Sequence, residues 1–289
     1  MKGFERLNPL SAALYYLCVL GLSMFSMNPL MLVISLFCAV LTCIADGTVK
    51  ARGHLFALIL FIVAAVLNPL IVHKGATVLF YLNDRPFTME AAVYGVTAAV
   101  MLTAALYWLR SLSRVFTADK VMYLFGRISP KLALLISMTL RYVGLFKYRF
   151  RRIRDAQRAL GLYDDGNLID AVRGNARVLS ILITWTLENG IVTAESMEGR
   201  GYGSGRRTSY APYRLHGTDA VFMLLTALLT AIAVAGTAHT SAVFYPELNF
   251  DLLNPWGIAG TAAFSLLSLL PLILNAKEAI RWRILSSKV

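Results

Sequence analysis

Charged side chains are scarce in this sequence. Only 15% of the 289 residues are Asp, Glu, Lys or Arg, whereas 57% are hydrophobic, and the mean hydropathy is +0.63. Soluble domains carry about 25% charged residues, so the composition argues against a soluble globular chain. Most of the chain is therefore expected to lie in lipid.

Cysteine and histidine are too few and too scattered to build a disulfide framework or a metal site. The three cysteines, Cys18, Cys38 and Cys43, lie in apolar runs, and the four histidines are spread along the chain. No G-x-x-x-x-G-K-S/T loop is present, and the glycine-rich run 199–205 follows a helix rather than a strand. We expect this chain to have no catalytic residue, no metal and no cofactor of its own.

Long apolar runs dominate what remains. A helix needs about 20 apolar residues to cross a hydrocarbon core of ~30 Å. Six windows come close to that length, at residues 9–26, 29–45, 55–72, 91–109, 220–238 and 256–274. Pairs that stop helices stand at their boundaries, namely Asn28-Pro29, Asn68-Pro69, Arg85-Pro86 and Asn254-Pro255. The sequence therefore predicts an all-α integral membrane protein with about six transmembrane helices.

The first window is expected to be a retained span rather than a cleaved signal peptide. Apolar character resumes at once after Asn28-Pro29, and no small-residue cleavage site intervenes. Because almost nothing joins the first two windows, they are expected to form a tight helical hairpin.

Positive charge is distributed unevenly about these spans. The net charge is +12, and with the N-terminus inside, 26 of the 28 Lys and Arg residues fall on the cytoplasmic side, leaving Lys74 and Arg85 outside. Cytoplasmic loops of membrane proteins carry such an excess. We therefore predict a multi-pass protein of the cell membrane with both termini cytoplasmic. This bias explains most of the basic balance without a nucleic-acid partner.

Residues 116–216 differ from the membrane segments at 1–115 and 217–289. They contain sixteen Lys and Arg and eight Asp and Glu residues. The apolar run 131–146 is interrupted by Arg141 and is too short for a comfortable span. It continues without a helix breaker into the basic residues 147–158, which predicts one long helix.

A second long helix is predicted after a turn at Asp164, Asp165, Gly166 and Asn167. Its apolar residues recur at steps of three and four, which places them on one helical face. They are Leu168, Val172, Ala176, Leu179, Ile183 and Leu187. Glycines from 199 onward end this helix. We expect residues 116–216 to form a cytoplasmic domain of two long helices.

The two predicted helix ends are alike and lie 40 residues apart, at 156–162 and 196–202. In each, small residues flank a long side chain and a glycine follows. An arginine at a helix C-terminus offers a fork of donors to an acidic groove, although two plain helix caps would show the same spacing. The basic residues 147–158 fit either a patch attracted to anionic lipid or a protein contact.

With these motifs the chain resembles the transmembrane T component of energy-coupling factor (ECF) transporters, a family that includes cobalt-transport permease subunits. Residues 197–203 look like the family's Met-Glu-Ala-Arg-Gly-Tyr segment, with Gly199 in place of Ala. Residues 156–159 and Gly161 are similar to the first family motif, but Leu160 stands where the family usually has an Arg. The Asn68-Pro69 pair also looks familial.

The resemblance implies a non-catalytic coupling subunit of an ABC importer for a vitamin or a metal ion. It implies two cytoplasmic ABC-type ATPase subunits as partners, one at each helix end, and a small membrane S component that selects the substrate. The residues implied in ATPase docking are Arg158, Ala159, Leu160 and Gly161 at the first end and Glu198, Gly199, Arg200 and Gly201 at the second. Two alternatives stay open at the first end: Arg158 replaces the missing motif arginine, or the dock there is partly apolar.

Two other classes of function are weighed against this one. A conventional permease that binds its own cargo needs polar residues within the spans, and the predicted spans contain no charged residue near their midplane. A membrane enzyme acting on lipid head groups could use the arginines to bind phosphate. The lack of a paired base or a metal cluster argues against that enzyme.

Overall fold

The structure, a computed structural model, is almost entirely helical. It describes residues 4, 7–47, 51–72, 75–82, 85–162, 168–205, 213, 215–240, 242–245, 249–250 and 254–286. The predicted turn at 164–167 lies outside these residues. The helices are α1 (Pro9–Phe25), α2 (Pro29–Asp46), α3 (Ala51–Ile71), α4 (Met89–Val115), α5 (Ala118–Ile128), α6 (Pro130–Ala159), α7 (Leu168–Gly199), α8 (Gly217–Ala238) and α9 (Pro255–Ser286).

Each of the six predicted spans coincides with a helix. Five helices in the described part of the chain, α2, α3, α4, α8 and α9, are long and apolar enough to cross a membrane, and α1 is a shorter apolar helix of 17 residues. The predicted class, an all-α membrane protein, is confirmed.

Two short strand pairs were not predicted. Strand β1 (Val78–Leu82) pairs antiparallel with β2 (Arg85–Thr88), and β3 (Ala242–Val243) pairs antiparallel with β4 (Asn249–Phe250). Both pairs lie in connections between apolar helices. The pair Arg85-Pro86 therefore lies within a strand rather than at the boundary of a helix.

The chain forms two compact units. The first comprises Met1–Val121 with Tyr213–Val289, and the second comprises Met122–Pro212. In the first unit α4 packs against α1, α2 and α3, while α9 packs against α2 and α8. Although only three residues join α1 to α2, α1 packs mainly against α8 and α4, and α2 mainly against α4 and α9. The tight hairpin expected of these two helices is therefore not their main packing contact.

Aromatic side chains fill the core of the first unit. Phe4, Tyr15, Tyr16 and Trp108 are buried, and their rings meet edge to face, with 5.3 Å between the centroids of Phe4 and Tyr15. Two of these residues have serine partners: Trp108 Nε1 donates to Ser35 Oγ at 3.0 Å, and the Tyr16 hydroxyl lies 2.8 Å from Ser111 Oγ. A buried indole N–H left without a partner would be costly, so Ser35 stabilises this core.

Asparagine and proline begin these helices more often than they end them. The side chains of Asn8 and Asn28 each accept the N–H of the residue two positions later, and a proline follows as the first helical residue. Proline suits that position because its missing N–H would be unpaired there anyway. Pro69, in contrast, lies inside the last turn of α3, which continues to Ile71. The prediction that Asn68-Pro69 stops the helix is therefore wrong by one turn.

Glu90 is a buried acid in the first turn of α4. Its Oε1 accepts hydrogen bonds from the backbone N–H of Thr77 at 3.0 Å and from Thr77 Oγ1 at 2.8 Å. Because these bonds join the segment before β1 to the start of α4, Glu90 anchors this connection to the helical core.

Candidate functional site

The two long helices of the second unit form an antiparallel pair. Tyr142 of α6 lies within 3.3 Å of Thr193 of α7 through their hydroxyl oxygens. The rings of Phe146 and Trp185 lie 6.4 Å apart. As the residue number rises along α6 it falls along α7, so the C-terminal ends of the two helices lie at opposite ends of the pair. The predicted single helix through 131–158 and the predicted second helix are both observed.

The face of α7 that packs against α6 is not the apolar stripe predicted from periodicity. Val172, Leu179 and Leu187 of that stripe are 69%, 52% and 65% exposed. The buried residues of α7 include Gly174, Val178 and Leu182. Helical periodicity identified the widest apolar stripe, but a narrower face with small and polar residues makes the contact with α6.

At the first helix end, α6 closes in a Schellman motif. The N–H of Gly161 donates to the carbonyl of Arg158 at 3.0 Å, and the N–H of Leu162 donates to the carbonyl of Gln157 at 2.9 Å. Gly161 has a φ of 68°, a left-handed conformation that glycine adopts without steric cost. Leu160, between helix and glycine, is 69% exposed.

The second helix end repeats this backbone. The N–H of Gly201 donates to the carbonyl of Glu198 at 2.8 Å, and the N–H of Tyr202 donates to the carbonyl of Met197 at 3.0 Å. Gly201 has a φ of 79°. Arg200 is exposed at the position that Leu160 occupies in the first end. Its guanidinium has no hydrogen-bond or ion-pair partner among the described residues.

The flanks of both ends are small and open. Ala159 and Gly199 are the last helical residues of α6 and α7 and both are exposed, and a side chain added at Gly199 would meet nothing within 4 Å. Arg158 and Glu198, one position before each of them, are exposed as well. The similarity of the two ends, predicted from sequence, thus extends to their backbone hydrogen bonds.

Several arginines of the basic segment stack on aromatic rings. The guanidinium carbon of Arg149 lies 4.8 Å from the centre of the Trp185 ring on α7. Those of Arg152 and Arg154 lie 5.6 Å and 5.7 Å from Tyr148 and Phe150 on their own helix. Such cation–π contacts stabilise a pair by about 0.5–2 kcal/mol. Part of the basic segment therefore stabilises α6 and its contact with α7, a role that the charge pattern alone did not predict.

Arg177 reaches from α7 to the first helix end. Its Nη1 donates to the carbonyl of Leu162, just beyond Gly161, at 3.1 Å. A cation at a helix C-terminus also interacts favourably with the helix dipole. No local sequence pattern predicts this contact, because 15 residues separate Arg177 from Leu162.

Ligand clusters are not found in the described part of the chain. No three His, Cys, Asp or Glu side chains lie together there as metal ligands. Two of the histidines have side-chain neighbours in the structure. His54 Nδ1 lies 2.8 Å from the Tyr107 hydroxyl oxygen. His216, at the start of α8, has its Nδ1 3.9 Å from Asp219 Oδ2.

Comparison with known proteins identifies the family. The profile of the cobalt transport proteins (CbiQ) matches residues 4–210, which include α1 through α7 and both helix-end motifs. The chain belongs to the cobalt transport protein family. The family resemblance inferred from the motifs is thereby confirmed.

Relatives of this cobalt transport family member carry the name "Energy-coupling factor transporter transmembrane protein". Those from Listeria monocytogenes and Lacticaseibacillus paracasei are 26% and 29% identical, over 80% and 78% of this chain and 91% and 92% of their own length. One from Lactobacillus helveticus is 37% identical over 34% of this chain, and the aligned part spans only 38% of that relative. The chain is thus similar to the membrane subunits of such transporters and is itself a multi-pass membrane protein.

Proposed function

We propose that this chain is the transmembrane coupling subunit of an ECF-type ABC importer. In this role it transmits the ATP-driven motion of two cytoplasmic ATPase subunits to a membrane S component, which captures a vitamin or a metal ion. The chain itself is non-catalytic, and ATP hydrolysis takes place in the ATPase subunits. The match to the cobalt transport family and the names of the ECF relatives support this assignment.

The observation that carries the proposal is the paired geometry of the helix ends. Gly161 and Gly201 close α6 and α7 with the same two backbone hydrogen bonds and the same left-handed conformation. Two equivalent ends suit two similar partners, since each presents the same backbone shape to a groove. The docking residues are 158–161 at the first helix end and 198–201 at the second.

The separation of the ends supports two partner subunits rather than one. Helices α6 and α7 have 30 and 32 residues. At about 1.5 Å per residue each is roughly 45 Å long, whereas a small domain is only about 30 Å across. Because the helices run antiparallel, one small domain cannot contact both ends. If the distance between two ATPase subunits changes when nucleotide binds, both helix ends would move at the same time.

Orientation is part of the proposal. The second unit and both termini lie in the cytoplasm, where the ATPase subunits and ATP are found. The excess of Lys and Arg in the segments assigned to that side supports this arrangement.

Arg200 provides the direct test. If its guanidinium fills an acidic groove on one ATPase, Arg200→Ala removes one partner of a buried, hydrogen-bonded charge pair. Such a truncation costs about 2–5 kcal/mol, which corresponds to roughly 30-fold weaker binding or more. Size-exclusion chromatography should show loss of an ATPase from the co-expressed complex, and ATP-driven uptake into proteoliposomes should fail.

Arg151→Ala is the matched control, because Arg151 is an exposed arginine away from both helix ends. An exposed charge contributes less than about 1 kcal/mol, so this variant should assemble and transport like the parent. If Arg200→Ala also behaves like the parent, the second end is only a helix cap and the coupling role loses its support. Binding of cargo by the isolated chain would instead favour a conventional permease.

A further inference from the structure

The two helix ends have the same backbone conformation but different side chains at the position before the glycine. Arg200 extends from the second end, and Leu160 occupies the equivalent position at the first. A partner groove lined by carboxylates would find a guanidinium at one end and an isobutyl group at the other. Any cation that serves the first end must therefore come from elsewhere in the chain.

Arg177 places a guanidinium at that end. Its Nη1 donates to the carbonyl of Leu162 at 3.1 Å, one residue beyond the left-handed Gly161. Arginine has five N–H donors in a planar fork, and this bond uses one of them. The side chain is half-buried, so its position is fixed by the protein before any partner arrives.

We propose that Arg177 supplies, at the end of α6, the cation that Arg200 supplies at the end of α7. Its remaining donors face a carboxylate in the groove of the second ATPase subunit. This inference rests on the proposed coupling function and names the residue that makes the first of the two docks. It differs from the first alternative left open by the sequence, in which Arg158 replaces the missing motif arginine, and it is compatible with the second, a partly apolar dock.

Helix geometry favours Arg177 over Arg158 for this role. The Cα–Cβ bonds of an α-helix tilt toward its N-terminus, so an arginine inside the last turn of α6, such as Arg158, starts from a backbone position that tilts back along the helix. Arg177 approaches from the neighbouring helix and is held at a carbonyl beyond that end. The conformational entropy lost on docking is correspondingly smaller for a side chain that is already held.

The apolar neighbours strengthen the expected contact. Leu160 and Leu162, on either side of Gly161, are 69% and 50% exposed. When a partner covers them, water leaves the site, and an ion pair in a less polar environment is stronger than one in water. Leu160 thus contributes apolar contact area, and Arg177 contributes the charge.

The test combines a loss with a rescue. The tagged full-length chain and the ATPase pair are purified separately, and binding of the pair to the chain is titrated in detergent. Arg177→Ala should weaken binding about 30-fold or more, as expected for truncation of one member of a buried charge pair. Adding Leu160→Arg to this variant should restore binding to within a few-fold of the parent, because it returns an arginine to the position equivalent to Arg200.

The rescue separates docking from a merely structural cap. An arginine at position 160 lies on the end of α6 itself and does not replace the bond from α7 to the Leu162 carbonyl. If Arg177 only braces the helix pair, the thermal midpoint falls and Leu160→Arg does not restore ATPase binding, which overturns the inference. Arg173→Ala, one turn earlier on the same helix, is the control and should bind like the parent.

The two proposals fail in different ways. If Arg177→Ala binds the ATPase pair like the parent while Arg200→Ala does not, the inference on Arg177 is wrong and the coupling function stands. If both variants bind like the parent, the coupling function itself is wrong.

Discussion

Gly236 of α8 lies close against the backbone of α9. A Cβ built on it would lie 2.5 Å from the Cα of Gly260 and 2.8 Å from the carbonyl oxygen of Trp256. Both are backbone atoms, so the space cannot be made by turning a side chain. In membranes, helices commonly use glycine in this way to bring their backbones together.

Gly236→Ala should therefore destabilise the first unit. Overpacking of this kind costs about 1–3 kcal/mol. Because the added methyl group would meet backbone atoms, the cost at Gly236 should lie near the upper end of this range. Thermal unfolding of the purified chain in detergent should show a lower midpoint. Gly21→Ala is the control, since a side chain there meets nothing within 4 Å and alanine favours helix over glycine by about 0.5–1 kcal/mol. Equal midpoints for the two variants would mean that α8 and α9 do not approach as closely as described.

Leu160 and Arg200 illustrate what a motif reveals and what it does not. The spacing of the two helix ends was sufficient to predict that both finish in the same way, because glycine is the residue that a left-handed turn requires. Which cation stands beside the first end was not predictable. The contact from Arg177 depends on how α7 folds back along α6, and no local pattern encodes it.

At the scale of the elements, apolar length predicted the helices of the first unit. Each long apolar run forms a helix, and Asn8 and Asn28 mark helix starts because an asparagine side chain accepts the unpaired N–H groups there. The strands were missed for physical reasons. Strands β3 and β4 have two residues each, too few for an alternating pattern, and Pro86 in β2 is a residue that strands usually exclude.

The orientation of α7 shows the limit of periodicity. Apolar residues are often exposed in folded proteins, whereas buried polar residues are rare. An apolar stripe therefore indicates a helix more reliably than it indicates which face is buried. In α7 the predicted stripe is exposed, and the side that meets α6 includes Gly174 and Thr193, whose small or polar side chains weaken the periodic signal.

Leu182 and Ile183 are neighbours on α7, but truncation of each to alanine should change the stability of the protein by very different amounts. Leu182 is 9% exposed and Ile183 is 52% exposed. Leu182→Ala should cost about 2–5 kcal/mol, because it leaves a cavity between packed groups. Ile183→Ala should change stability by no more than about 0.5 kcal/mol. Thermal unfolding of the two single variants, each monitored by circular dichroism, makes the comparison. If Ile183→Ala proves the more damaging, α7 packs through its apolar stripe after all.

At the scale of the whole molecule, orientation depends on the charges nearest the spans. Long cytoplasmic regions contribute little to the positive-inside bias, which acts mainly through short loops and residues close to helix ends. The short segments assigned to the cytoplasm contain ten cations, namely Lys2, Arg6, Lys50, Arg52, Arg110, Arg114, Lys277, Arg281, Arg283 and Lys288. The segments assigned to the outside contain Lys74 and Arg85. The asymmetry therefore persists when the basic residues of the second unit are left out.

Cysteine labelling tests this orientation. In a chain whose three cysteines are replaced by alanine, Ala76→Cys should react with a membrane-impermeant thiol reagent in intact cells. Ser180→Cys on α7 should react only after the membrane is permeabilised. Both positions are exposed, so a difference between them reports sidedness rather than burial. The ATPase subunits of the proposed complex act in the cytoplasm, so labelling of Ser180→Cys in intact cells would place the long helices on the wrong side for the proposed coupling. Labelling of Ala76→Cys alone would leave both helix ends on the side that the proposed docking of two ATPase subunits requires.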